Sequence, residues 1–137
     1  MREIKRGQIS TEYLIVMAFV TFLIISTLGI GLFYSTQAKD RIKFNYIENF
    51  ANKIISSAES VYYAGEPSKA TVTAYLPPNV EGIEVLQNEI VFNITTSSGV
   101  TRISYSSDVP IEGSLSSSEG VKKIVVSALS DRVVLNE

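Results

Sequence analysis

The sequence predicts an α+β fold, in which one long N-terminal helix packs against a small, mainly antiparallel β domain. Three observations support this prediction. Residues 13–38 contain no Asp, Glu, Lys or Arg, and residues 39–64 repeat apolar side chains at helical spacing. From residue 68 onward, short segments alternate apolar and polar side chains as half-buried strands do.

The composition narrows the classes of function. The 137-residue chain has no cysteine and no histidine, which removes disulfides, thiolate metal sites and the commonest general base. Its net charge is −2, without the basic surface that nucleic-acid binding requires. We therefore expect no enzyme activity, no catalytic residue, no metal, no cofactor, no nucleic-acid partner and no small-molecule substrate.

The chain divides into four predicted regions. Residues 1–7 form a short basic leader, and residues 8–38 form an apolar helix. The uncharged run within that helix exceeds the roughly 20 residues that cross a bilayer. Residues 39–65 continue the helix in amphipathic form, and residues 66–137 form the β domain.

The amphipathic region is expected to bury one helix face. The apolar residues proposed for that face are Ile42, Tyr46, Ile47, Phe50, Ile54, Ala58, Val61 and Tyr62. Gly65 suits the left-handed residue that follows a helix, and Pro67 prevents its continuation. Joined to the apolar region, this segment makes a helix of about 50 residues.

The β region predicts five or six short strands. They are expected at 70–76, 83–86, 89–95, 100–105, 121–128 and 132–136, with a hairpin turn at 96–99 and loops at 77–82 and 106–120. Whether the second loop contains a further short strand stays open. About 70 residues of β structure bury little surface alone. The apolar face of the helix should therefore complete their core.

Glu12 directly precedes the uncharged run, and a charged side chain inside a membrane is energetically costly. A secretory signal would place a small-residue cleavage motif after the apolar core, and the run ends without one. A plain signal anchor would explain the leader and the apolar run but not the residues around Glu12. Helix capping, with Ser10 as N-cap and Glu12 in the first turn, would explain those two residues alone. Cleavage before the run, between Gly7 and Gln8, is a further option, and it is compatible with capping.

The segment resembles the class III signal peptide of archaeal type IV pilin-like proteins, in the group with a Gln-x-Ser-x-Glu start. The matching residues are Lys5, Arg6, Gly7, Gln8, Ser10 and Glu12. Val16 stands where this family often has leucine. The resemblance implies that prepilin peptidase, a membrane aspartyl protease, cuts between Gly7 and Gln8. It further implies that Glu12, then the fifth residue, pairs with the new terminal amine of a neighbouring subunit.

The resemblance also implies a function. It predicts a type IV pilin-like fold and a structural subunit of an adhesion pilus, polymerised through its N-terminal helix with identical or related subunits. Such a subunit is a single-pass membrane protein before assembly and lies in a cell-surface filament afterwards. The alternative is a minor or non-assembling pilin-like protein, which presents a membrane-anchored extracellular binding module.

One modification motif is present. Asn93-Ile94-Thr95 matches the acceptor sequence for N-glycosylation. Strand alternation places Asn93 opposite the face of Ile90, Phe92 and Ile94, so its side chain should be accessible. We expect Asn93 to be a candidate glycosylation site.

Overall fold

The computed structural model describes the backbone from Ile4 to Glu137 and the side chains from Ser10 onward. These residues form helix α1 (Ile4–Ala64), followed by seven strands. The strands are β1 (Lys69–Leu76), β2 (Val80–Leu86), β3 (Glu89–Thr96), β4 (Gly99–Ser106), β5 (Ile111–Gly113), β6 (Gly120–Ala128) and β7 (Val133–Asn136). The predicted α+β class is confirmed.

Contacts divide the chain into two units, on either side of the bond between Ala38 and Lys39. The described part of the first unit, residues 4–38, is helical, and its large apolar side chains from Tyr13 to Tyr34 are exposed. The second unit, residues 39–137, contains the remainder of α1 and all seven strands. The helix ends as predicted, because Gly65 has a φ of 78° and its N–H bonds the carbonyl of Tyr62 at 3.0 Å.

The β domain has two sheets. The first sheet has the order β1-β6-β7-β5, and the second has the order β2-β3-β4. All pairs are antiparallel except β5 with β7. The predicted turn at 96–99 is present between β3 and β4. Strand β5 lies within the predicted loop 106–120, and β2 begins inside the predicted loop 77–82, where its pairing with β3 is irregular.

The second half of α1 fills the space over the inner faces of both sheets. Phe50 packs edge-to-face on Phe92 of β3, with ring centroids 6.0 Å apart. On the other sheet, the Lys53 ammonium donates to the carbonyl of Thr73 in β1 at 2.9 Å. Helix and strand residues form one buried cluster, which confirms that the helix completes the core. Its helix members are Ile47, Phe50, Ala51, Ile54, Ile55, Ala58 and Val61.

Two residues assigned to this face lie elsewhere. Ile42 is 54% exposed and Tyr46 is 48% exposed. At about 100° per residue, Ile42 and Tyr46 lie roughly 140° and 100° around the helix from Ile47. The apolar residues between positions 42 and 50 are spaced three to five apart, but they do not all lie on the buried face of the helix. Ala51 and Ile55 are buried in their place.

Gly113 permits the close approach of β5 to β7. It pairs with Leu135 in the parallel ladder and has a φ of 147°. A Cβ at this position would overlap the carbonyl oxygen of Leu135. Gly120 has a similarly positive φ of 120°, but a Cβ there would meet open space.

These two glycines allow backbone strain to be separated from steric overlap. Gly120→Ala should lower the free energy of unfolding by about 1–3 kcal/mol through strain. Gly113→Ala should lower it further, because the β5–β7 ladder must also separate. Denaturant unfolding of the full chain in detergent micelles, followed by the near-ultraviolet circular dichroism of the tyrosines, measures both. Equal losses in the two variants would contradict the overlap at Gly113.

Candidate functional site

The predicted processing segment lies at the start of α1. The helical backbone passes through residues 5–8 without a break. The side chains of Lys5, Arg6, Gly7 and Gln8 lie outside those that the structure describes. Cleavage between Gly7 and Gln8 therefore stays a prediction.

Ser10 and Glu12 lie within α1, beyond its first turn, and their side chains are exposed. Because α1 begins at Ile4, Ser10 is not its N-cap, and the first turn contains no acidic residue. Capping therefore does not explain Ser10 and Glu12 in the uncleaved chain. Among the residues whose side chains are described, none forms an ion pair with Glu12. The carboxylate is thus available to a partner outside that set.

The uncharged part of α1 is apolar on all its faces. From Tyr13 to Tyr34, its large apolar side chains are 43–71% exposed, and its most apolar 18-residue window has a mean hydropathy of 2.5. This helix is long and apolar enough to cross a membrane. Three threonines within it, Thr21, Thr27 and Thr36, donate their hydroxyls to backbone carbonyls four residues earlier. These hydroxyls therefore need no water, as suits an apolar surrounding.

The first turn of the second unit is tied to the β3–β4 hairpin. The carboxylate of Asp40 accepts hydrogen bonds from the hydroxyl and the backbone N–H of Ser97, and Lys43 lies 3.7 Å away. The two bonds from Ser97 favour the ionised form and lower the pKa of Asp40 below its usual range. Asp40 thus fixes the hairpin turn against the helix at the end of the domain nearest in sequence to the uncharged run.

Sequence reasoning missed a buried lysine in β6. Lys122 points to the same side as Ile124 and Val126, and its side chain is 4% exposed. Its ammonium pairs with Glu137 and donates to the hydroxyls of Ser116 and Ser118, both at 3.1 Å. Strand alternation in β6 was the signal that could have found it. These bonds hold the serine-rich loop 114–119 to the sheet.

Partial burial opposes the ionisation of Glu137, but two hydrogen bonds outweigh it. Lys122 and the backbone N–H of Ser116 both donate to this carboxylate. The pKa of Glu137 consequently lies below its usual value. The loop is thus held to the sheet by an ion pair at neutral pH.

Asn93 lies on the outer face of β3, as predicted. Ile90, Phe92 and Ile94 are fully buried on the opposite face. Asn93 itself is half-buried in the central strand, and a Cβ on the neighbouring Gly82 would come within 3.6 Å of its amide nitrogen. Its glycosylation stays a prediction.

A cleft of about 350 Å³ opens beside β5. Arg132, the cation in its lining, already pairs with Glu112 and Asp131. Its apolar lining is supplied by Val85 and Ile111. Within the described part of the chain, no group of three or more acidic residues is placed to hold a metal ion. The charged side chains that line the cleft therefore pair with one another and connect β5 to the β6–β7 turn.

Comparison with protein-family models, with curated proteins and with solved structures gives no match. The candidate site comprises the segment around Glu12 and the uncharged helix that follows.

The Asp40–Ser97 contact predicts a pH dependence. The pKa of Asp40 is lowered in the folded state, so the contact stabilises the fold above about pH 4, the ordinary pKa of an unfolded aspartate. The stabilisation is lost as the pH falls through the lower folded-state pKa. Asp40→Asn should therefore reduce the free energy of unfolding at pH 7, and its difference from the wild type should shrink below about pH 4.

The measurement is denaturant unfolding of the full chain between neutral and acid pH. Glu119→Gln is the matched control, because Glu119 is exposed and its substitution removes the same charge from the domain. A difference between Asp40→Asn and the wild type that stays constant down to acid pH would contradict the assignment.

Proposed function

We propose that this protein is a structural subunit of an archaeal type IV-like adhesion pilus, matured by prepilin peptidase and polymerised through its N-terminal helix. One observation carries the proposal. The uncharged helical run, exposed and apolar on every face, is directly preceded by one carboxylate, Glu12, which lies four residues after the Gly7–Gln8 pair. A membrane anchor alone requires the apolar faces but not the carboxylate.

Cleavage at this pair would convert a position inside a helix into a helix terminus. The backbone of α1 is already helical on both sides of the bond. Removing residues 1–7 would expose an α-amino group at Gln8, with an ordinary pKa near 8. Glu12 would then lie within the first turns of the shortened helix, where a negative charge is favourable.

The sequence leaves few positive groups that could pair with Glu12. No basic residue occurs between Glu12 and Lys39, which lies about 40 Å further along an α-helix. Loss of the leader would remove Arg2, Lys5 and Arg6. The remaining cation near Glu12 is then the amine of Gln8, on its own chain or on a neighbouring one.

Two opposite charges about 4 Å apart attract by roughly 4 kcal/mol at an effective dielectric constant of 20. Desolvation offsets much of this gain, whereas an unpaired charge in an apolar surrounding is strongly unfavourable. The pair therefore selects the axial position of one helix against another more than it adds stability.

A bundle of such helices would bury the uncharged run on all sides, which matches its all-round apolar character. The second unit folds around its own core, so it can remain outside the bundle. Its surface would then serve attachment.

The processing step predicts a defined N-terminus. Mass spectrometry of the protein purified from cells should find a chain that starts at Gln8, and Gly7→Leu should leave the leader attached. Ile9→Leu, a conservative change beyond the cleaved bond at an open position of the Gln-x-Ser-x-Glu pattern, should retain cleavage. A mature chain beginning at Met1, or near residue 35 as after a conventional signal, would refute prepilin processing.

The carboxylate predicts an assembly defect without a folding defect. Glu12→Ala and Glu12→Gln should reduce the fraction of subunits recovered in sheared surface filaments by about tenfold or more, which corresponds to roughly 1.4 kcal/mol. Cleavage and membrane insertion should be unchanged. Glu48→Ala removes an exposed carboxylate from the second unit and should assemble normally.

A membrane-anchored binding module that never assembles is the second candidate, since the leader, the apolar helix and the β domain serve it equally. For that protein the Glu12 variants would behave as the wild type. Unchanged recovery would therefore favour it over the pilus subunit.

A further inference from the structure

The second unit carries an apolar strip on the outside of its first helical turns. Ile42 and Tyr46 lie one turn apart on α1 and face away from the core. Tyr46 packs edge-to-face on Tyr75 of β1, with ring centroids 5.6 Å apart. Tyr75 pairs with Val121 of β6 on the outer face of the sheet. We call these four residues the base strip.

The base strip is exposed although it is apolar. Its members are 46–71% exposed, and they form one contiguous surface that crosses from the helix to the sheet. The same outward side of the helix becomes polar further on, where Asn49, Lys53 and Ser56 line a shallow groove. Between Ile42 and Ser56, this side of the helix is thus apolar only at the end that joins the uncharged run.

Basic residues flank the base strip. Lys39 lies one turn before Ile42, and Lys123 lies on the same sheet face as Val121. Both side chains are exposed, and neither forms an ion pair with any described residue. Asp40 is engaged by Ser97 on another side of the helix.

The charge of the domain is strongly asymmetric. Residues 39–137 contain nine basic and twelve acidic residues, a formal charge of −3. Residues 39–43 contribute three basic residues and one acidic residue, so they are locally +2. The remaining 94 residues carry six basic and eleven acidic side chains, or −5. An anionic surface would therefore attract this end of the domain and repel the rest.

We propose that the base strip docks on the headgroup layer of an anionic lipid membrane while the subunit is held there before assembly. The proposal rests on the membrane-held precursor of the proposed function. The position of the base strip in the chain supports this proposal. Lys39 directly follows the uncharged run, so the base strip begins within about one helical turn of the point where the chain leaves the apolar phase. Tyrosine is enriched at that level of a membrane. Each nearby lysine adds attraction to anionic lipid.

A nitroxide at position 121 tests the docking. The chain has no cysteine, so Val121→Cys gives a unique attachment site on the full-length protein. Leu129→Cys is the matched control, because Leu129 is 42% exposed and follows the opposite end of β6. The proteins are placed in phosphatidylcholine vesicles, with and without about 30% phosphatidylglycerol. Relaxation by a water-soluble nickel chelate is then measured.

In anionic vesicles, the label at 121 should be about threefold less accessible to the chelate than the label at 129. The double substitution Lys39→Gln/Lys123→Gln should reduce this protection, as should Ile42→Ser/Tyr46→Ser. All four residues are exposed, so these variants should keep the fold. Equal accessibility at 121 and 129, or equal protection in neutral vesicles, would overturn the proposal.

A second copy of the chain is the competing occupant. Protection by lipid survives an about tenfold dilution of the protein in lipid, whereas protection by another copy falls with dilution. A fall would overturn lipid docking. The label measurement and the assembly test can fail independently. Normal assembly of the Glu12 variants would refute the proposal of a pilus subunit, but it would leave the accessibility of the label at position 121 unaffected.

Discussion

The structure depends on a change of apolar pattern within one helix. In the uncharged run, residues 13–38, α1 is apolar on every face, and none of its most apolar window is buried. From Ile47 onward, one face alone is buried, at positions such as Phe50 and Ile54. The first pattern requires a surrounding that the chain does not supply. The second is satisfied by the chain's own strands, so one element requires two different surroundings.

The β domain depends on the second pattern. Its two sheets each present an apolar inner face, and residues of the second half of α1 belong to the same buried cluster as both faces. Phe50 reaches Phe92 in one sheet, and Lys53 binds an edge carbonyl of the other, so the helix joins both into one core. On the outer face, Glu84 and Arg102 pair at 3.0 Å across β3 beside Val91, which is 1% exposed. An ion pair thus helps to cover the face that the helix does not reach.

Local signals in the sequence predicted most elements of the fold. Gly65 ended the helix, residues 96–99 formed a hairpin, and Ile90, Phe92 and Ile94 shared the buried face. The division into two sheets was not predictable from local signals, because β1 pairs with the distant strand β6 and not with its sequence neighbour β2. Ile42 and Tyr46 were misplaced because apolar character was taken for burial. At the candidate site, the motif around Glu12 came from sequence alone, while its position inside a continuous helix required the structure.

The helix geometry also decides what pairing at Glu12 can contribute. Gln8 and Glu12 are four residues apart, so they share a helix face, and a side chain at 12 projects back toward the N-terminus. After cleavage, the carboxylate would lie near its own chain's amine as well as a neighbour's. Exchanging one amine for the other conserves the number of paired charges. If the chain assembles as proposed, the electrostatic gain on assembly would therefore be small, and the pair would chiefly require neighbouring helices to stop at one axial offset.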